Sequence, residues 1–100
     1  MTFADFFAKR SNWRDGWGGK CAYCRRRFGK GLRATRDHIF PRVLGGEFSN
    51  ANIAAACRDC NEEKGAMTVD GYWHWLVAQG RKTQFHWRLM IMVNTRPERR

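Results

Sequence analysis

Four polar residues near the middle of the chain have side chains suited to holding a divalent ion and activating a water molecule. Asp37 and Asn61 offer carboxylate and amide oxygens, which are hard ligands of the kind that Mg²⁺ accepts in proteins. His38 offers an imidazole that can take a proton from water at cellular pH. Asn52 lies between them in the chain. Each residue alone is an ordinary surface, turn or helix residue, so a hydrolytic site is predicted only from their joint occurrence.

A frame of cysteines encloses this set, with one Cys-x-x-Cys pair at Cys21 and Cys24 and a second at Cys57 and Cys60. Each pair can hold one side of a tetrahedral ion, and four thiolates leave no open coordination position. The pattern therefore predicts a structural Zn²⁺ ion. Two other readings are disulfides, which a reducing compartment disfavours, and a thioredoxin-like dithiol, which needs only one pair.

The elements that must position these residues follow from the local sequence. We expect a strand over residues 32–40, ended by Pro41, and a second strand over residues 52–57. A helix over residues 58–64 stops at Gly65. Because adjacent residues of a strand point to opposite faces, Asp37 and His38 can share one site only if the strand bends or ends there.

Two further helices are expected outside this unit. One covers residues 2–10, and the other covers residues 71–79, with Asp70 as its cap and Gly80 at its end. Residues 84–94 are ambiguous, since their apolar residues alternate as in a strand but are also nearly continuous. We expect one domain over residues 1–100, with its motif core at 21–65 and an extension over 66–100.

The order of the motifs resembles that of the HNH endonucleases of the four-cysteine type. The resemblance is carried by the segments 36–41, 45–46, 52–53 and 57–65, and it extends over about residues 21–65. It implies an α+β fold built on a small ββα-metal unit with a structural zinc and flanking helices. It also implies metal-dependent cleavage of DNA with low sequence specificity, leaving a 5′-phosphate and a 3′-hydroxyl.

The same resemblance assigns roles to the polar set. His38 is the expected general base, and Asn52 is expected to orient it through its side-chain oxygen or through backbone contacts. Asp37 and Asn61 are expected to hold a catalytic Mg²⁺ or Mn²⁺ ion. In its size, the chain is also similar to free-standing nucleases of phages and mobile elements.

The charge of the chain indicates a polyanionic partner. Nineteen Lys and Arg residues stand against nine Asp and Glu residues, a formal net charge of +10 in 100 residues. Such a surface attracts nucleic acid, and the planar guanidinium suits phosphate oxygens. The expected nucleic-acid contacts are Arg36, Arg42, Lys64, Arg25, Arg26 and Arg27.

The expected substrate is double-stranded DNA. One site cuts one strand, so a double-strand break requires a homodimer, a second visit or a protein partner. No apolar run approaches the roughly 20 residues of a membrane span, and the first residues do not resemble a signal peptide, so we expect a cytoplasmic protein without membrane contact. The alternatives are a non-catalytic, zinc-stabilised module that binds DNA or RNA, and a nuclease directed to RNA.

Overall fold

A two-stranded antiparallel sheet and the helix that follows it form the centre of the molecule. The computed structural model of the protein describes residues 13–47 and 49–95, with only the backbone at Asp15. Strand β1, Ala34–His38, pairs with strand β2, Ile53–Cys57, so that Ala34 lies opposite Cys57 and His38 lies opposite Ile53. The architecture is α+β, as predicted, and both strands lie at the predicted places but are shorter.

Strand β2 is the buried centre of this unit. All five of its residues are buried, and three of them are the consecutive alanines Ala54, Ala55 and Ala56. One edge of β2 pairs with β1, while its other edge receives a backbone hydrogen bond of 2.8 Å from Ala22 N–H to the Ala55 carbonyl. The turn that carries the first cysteine pair is thus fastened directly to the sheet.

Helix α1, Arg58–Lys64, begins immediately after β2 and has the predicted bounds. Cys57 caps its first turn, because the Cys57 side chain accepts a hydrogen bond from the Cys60 N–H. Gly65 ends it with a φ of 52°, a left-handed conformation that glycine adopts without steric cost, and its N–H bonds the Asn61 carbonyl.

Helix α2, Val69–Ala78, begins earlier than predicted because its cap is Thr68 and not Asp70. The Thr68 hydroxyl accepts a hydrogen bond from Gly71 N–H at 3.0 Å. A third helix, α3, covers Trp87–Met90 within the ambiguous segment 84–94. Leu89, within this helix, and Phe85, just before it, are both buried in the core.

Aromatic residues join the cysteine turn, α2 and the segment before α3 in one core. The Tyr23 ring lies edge-on against Tyr72 and Phe85, with centroid distances of 5.3 and 4.9 Å. Short 3₁₀ helices occur at Asp15–Trp17, Arg42–Leu44 and Asn50–Asn52. The predicted helix over 2–10 lies outside the described residues. Within the described ranges, no helix is both long and apolar enough to cross a membrane.

Candidate active site

The cysteines form a compact cluster between the first turn and the start of α1. The sulfurs of Cys21, Cys24, Cys57 and Cys60 all lie within 4.8 Å of one another. Cys24 Sγ and Cys57 Sγ are 3.8 Å apart, close to the edge of about 3.8 Å that a tetrahedron with Zn–S bonds of about 2.3 Å requires. The donor set and its spacing therefore fit a structural zinc ion.

Hydrogen-bond donors surround the sulfur of Cys21 and favour its ionised form. Three backbone N–H groups, those of Tyr23, Cys24 and Cys57, point at Cys21 Sγ at 3.3–3.5 Å. The hydrogen bond from Cys60, helped by these backbone groups, lowers the pKa of Cys21 to about 4. The hydrogen bond to Cys21 together with burial raises the pKa of Cys60 well above its ordinary value. The hydrogen bonds around Cys21 therefore favour the thiolate form that a metal ion binds.

Arg26 contacts the cysteine cluster directly. Its Nε donates to Cys24 Sγ at 3.3 Å and its Nη2 to Cys57 Sγ at 3.2 Å, while Nη2 also lies 3.4 Å from Asp59 Oδ2. A guanidinium here offsets the negative charge of a four-thiolate site. The predicted arginine patch is therefore not uniform, since Arg26 faces the sulfurs, Arg25 is half-buried and Arg27 is exposed.

A pocket of about 190 Å³ lies where the end of β1, helix α1 and the loop after β1 meet. Asp37, His38 and Asn61 line it together, although they come from two different elements. Three of the four polar residues singled out in the sequence thus lie at one site. The other lining residues are Arg36, Pro41, Arg42, Val43, Gly65 and Ala66.

Asp37 is a buried carboxylate, only 2% exposed. Its Oδ2 accepts a short hydrogen bond from the Tyr23 hydroxyl, and its Oδ1 accepts from Lys64 Nζ at 3.1 Å. Burial raises the pKa of Asp37, while the ammonium of Lys64 and the hydroxyl of Tyr23 act in the opposite direction. The partners compensate for the loss of water around this carboxylate.

Lys64 does not lie where the sequence prediction put it. The prediction was a phosphate contact, but the side chain is 1% exposed and its Nζ also donates to the His38 carbonyl at 3.0 Å. Helical spacing correctly put Lys64 on the Asn61 side of α1, yet a buried carboxylate within reach holds the ammonium inside. Its contacts tie α1 to the end of β1, and the buried ammonium does not lie on the surface that a phosphate would contact.

Asn61 is oriented by strand β1. Its Nδ2 donates to Thr35 Oγ1 and to the Arg36 carbonyl, both at 2.9 Å, and Thr35 Oγ1 in turn donates to the Ala56 carbonyl at 2.7 Å. With the amide nitrogen held on β1, the oxygen Oδ1 lies on the other branch of the amide and is available as a hard ligand. Thr35 therefore fixes which way Asn61 faces.

Asn52 holds the loop that follows His38. Its Oδ1 accepts from Phe40 N–H at 2.8 Å, and its Nδ2 donates to the carbonyls of Phe40 and Glu47 at 3.1 and 2.7 Å. Its backbone carbonyl accepts from Ile39 N–H at 2.8 Å. These contacts hold the chain that follows His38, and the predicted role of Asn52 in orienting the His38 ring stays a prediction.

The loop is narrow enough to require glycine at one position. Gly46 N–H bonds the Pro41 carbonyl at 3.0 Å. A Cβ on Gly46 would lie 1.8 Å from the Phe40 carbonyl oxygen, a distance at which the backbone must move. The Gly45-Gly46 pair in the sequence thus marks a close backbone approach beside the pocket.

The donor chemistry of the pocket fits a hard divalent ion. Asp37 and Asn61 supply two oxygen ligands, and an ionised carboxylate has about four lone-pair sites, so its two hydrogen bonds leave capacity for a further cation. Two protein ligands suit an ion that keeps most of its waters. The imidazole of His38 lines the same pocket and can accept a proton from water there.

Tyr23 and Thr35 were not recognised as site residues from the sequence, and Arg26 was predicted only as a nucleic-acid contact. Tyr23 carried a usable signal, because it lies inside the first cysteine pair and so beside the metal frame. Thr35 lies two residues before Asp37, on the same face of β1, but nothing in the sequence distinguishes it from any other threonine of a strand. Arg26 gave a signal of charge only.

A protein-family model described as HNH endonuclease matches residues 21–72 of the chain. This region contains both cysteine pairs, both strands, α1 and the first turn of α2. Comparison with curated proteins and with solved structures gave no significant match.

Proposed function

The chain belongs to the HNH endonuclease family, and from this premise we propose that it is a metal-dependent endonuclease that hydrolyses phosphodiester bonds of double-stranded DNA. We propose that it nicks one strand at a time with low sequence specificity. Cleavage of both strands then needs a second copy, a second encounter or a partner.

One observation carries the proposal: Asp37, His38 and Asn61 line the same pocket inside the matched region. A module that only binds nucleic acid needs the cysteines and the positive charge. It has no need for a carboxylate, an imidazole and an amide at one pocket.

The contacts of the pocket residues support a proposed role for each. His38 takes the proton of the attacking water, and Asn52 keeps the adjoining loop in place through the Phe40 backbone. Asp37 and Asn61 hold the catalytic divalent ion, Mg²⁺ or Mn²⁺. When bound, such an ion polarises the phosphoryl oxygens and stabilises the leaving oxygen.

Arginines at the rim supply the docking charge. Arg36 and Arg42 are exposed and line the pocket, and the Arg36 guanidinium also lies 5.5 Å from the centroid of the Trp13 ring. Both residues add positive charge where a phosphate would enter. Arg27 is exposed and extends the same positive character. The structural zinc ion stabilises the frame by fastening the first turn to the start of α1.

A plasmid-nicking assay with Mg²⁺ or Mn²⁺ tests the proposal. We expect His38→Ala to lower the nicking rate by roughly 10²–10⁴, the range for loss of a general base. His74→Ala is the matched control, since His74 is exposed and its Nε2 contacts the Asn94 carbonyl far along the chain from the pocket residues. Equal nicking by wild type and His38→Ala contradicts the proposal.

Two further arms identify the substrate. Digestion of RNA in parallel with duplex DNA, under the same conditions, distinguishes a DNA nuclease from one directed to RNA. DNA binding without nicking under any divalent ion supports the non-catalytic, zinc-stabilised module instead.

A further inference from the structure

Tyr23 is in contact with both the cysteine cluster and the carboxylate of the candidate active site. Its backbone N–H lies 3.4 Å from Cys21 Sγ, and its hydroxyl donates to Asp37 Oδ2. The residue is 2% exposed. A single residue therefore connects the two sites, through its backbone at the cysteine cluster and through its side chain at Asp37.

The Tyr23 ring has little freedom to move. Tyr72 and Phe85 pack against it edge-on at centroid distances of 5.3 and 4.9 Å. The backbone of the turn is fixed as well, because Ala22 N–H bonds the Ala55 carbonyl and the Ala22 carbonyl accepts from His86 N–H, both at 2.8 Å. The hydroxyl thus has a position determined by packing on all sides.

The orientation of the Asp37 carboxylate depends on its hydrogen-bond partners. Strand alternation directs the Asp37 side chain inward, opposite Ala54, while its neighbour His38 is the last residue of β1. Lys64 holds one carboxylate oxygen and Tyr23 holds the other, so the plane of the carboxylate is fixed from both ends.

We infer that Tyr23 is a positioning residue that orients Asp37 as a ligand of the catalytic divalent ion and thereby couples the cysteine frame to the active site. The inference rests on the proposed function. Residues that bind and orient a metal ligand in this way typically change metal affinity by about 10–100-fold when they are lost.

The test measures Mn²⁺ affinity rather than cleavage. Zinc-loaded protein in a His38→Ala background is mixed with a short DNA duplex, and free Mn²⁺ is followed by electron paramagnetic resonance. We expect Tyr23→Phe to weaken Mn²⁺ binding about 10–100-fold at unchanged zinc content. Tyr72→Phe is the matched control, because Tyr72 is also buried and its hydroxyl donates to Glu63 Oε1 at 2.6 Å. We expect it to leave Mn²⁺ affinity unchanged.

Asn61→Ala distinguishes failure of the inference from failure of the proposed function. If Asn61→Ala weakens Mn²⁺ binding and Tyr23→Phe does not, the inference is overturned and the proposed function stands. If neither weakens it, the pocket is not the ion site and both are overturned. Equal weakening by Tyr23→Phe and Tyr72→Phe also overturns the inference, because it assigns Tyr23 a general structural role.

A second measurement does not depend on the folding of Tyr23→Phe. The chain has two tyrosines, so 3-fluorotyrosine incorporated into Tyr72→Phe labels Tyr23 alone. Titration with Mg²⁺ in the presence of the duplex is expected to shift its fluorine resonance, since the hydroxyl contacts the ligand carboxylate. An unmoved resonance at Mg²⁺ concentrations that support nicking overturns the inference.

Discussion

The ammonium of Lys64 lies 3.1 Å from Asp37 Oδ1, and both side chains are almost completely withdrawn from solvent, at 1% and 3% exposure. The pair joins the last residue of α1 to the inner face of β1. Because neither charge is hydrated, each is tolerated only in the presence of the other.

Removal of one partner is therefore expected to be costly. We expect Lys64→Ala to destabilise the zinc-loaded protein by about 3–5 kcal/mol, since it leaves a buried carboxylate without its cation. The double variant Asp37→Leu/Lys64→Met is expected to recover most of that loss while remaining inactive. Urea unfolding of the single and double variants measures both values, and a loss below about 1 kcal/mol in Lys64→Ala contradicts the pair's structural importance.

Arg26 is expected to tune zinc retention. Its guanidinium contacts two sulfurs, so Arg26→Ala should weaken zinc binding about 10-fold or more in competition with a chromogenic chelator. The neighbouring Arg27 is exposed and provides the control, with zinc affinity unchanged in Arg27→Ala. If Arg26→Ala and Arg27→Ala lose zinc equally, Arg26 has no specific role in zinc retention.

The loop beside the pocket is expected to depend on Gly46. Gly46→Ala forces a backbone shift against the Phe40 carbonyl, and we expect a cost of about 1–3 kcal/mol together with reduced nicking. At Gly31, an added Cβ meets nothing within 4 Å, so Gly31→Ala is the control and should change neither property. Thermal unfolding and plasmid nicking of both variants give the answer, and a neutral Gly46→Ala speaks against the loop geometry.

The sequence predicted the elements whose signals are local. Helix α1 could be bounded because Gly65 is a strong stop, and the meeting of Asp37, His38 and Asn61 followed from motif order. The cap of α2 was misassigned to Asp70, because Thr68 and Asp70 are both capping types two residues apart and only the backbone conformation decides between them.

The sequence did not reveal which residues far apart in the chain contact each other. Lys64 is buried against the carboxylate of Asp37, which is 27 residues away in the chain. Tyr23 also contacts Asp37, across a separation of 14 residues. Residues 84–94 were ambiguous because their alternating apolar pattern fits a strand. The structure instead has helix α3 there, with Phe85 and Leu89 buried in the core.

His86 is expected to make stability depend on pH. Burial, with the nearby guanidinium groups of Arg25 and Arg88, lowers the pKa of His86 to about 4 from an ordinary 6.5. Between these values the unfolded chain binds more protons at this site than the folded one, so its contribution to stability rises with pH and is lost as pH falls from 6.5 towards 4.

The comparison variant for this effect is His86→Asn, which keeps a side-chain acceptor for the Arg88 N–H but does not titrate. Unfolding free energies of both proteins across pH 4–7 isolate the histidine by difference. A difference that is constant across this range is incompatible with the lowered pKa.

DNA affinity is expected to fall steeply with salt. If about five phosphates are neutralised, the log–log slope of affinity against salt is about −4.5, at −0.9 per contact. Arg36→Ala and Arg42→Ala should each make the slope shallower by about 1. Lys82 is exposed and does not line the pocket, so Lys82→Ala serves as the control. A slope near zero in the wild type argues against the basic surface as the docking face.

The three buried alanines of β2 limit which substitutions this small molecule can accept at its centre. Ala54, Ala55 and Ala56 are all buried, and Ala54 and Ala55 lie opposite Asp37 and Arg36 in the sheet. A larger side chain at any of the three positions has to displace neighbouring atoms of a closely packed core. Substitutions are therefore expected to be tolerated better among the exposed arginines and loops than along the centre of β2.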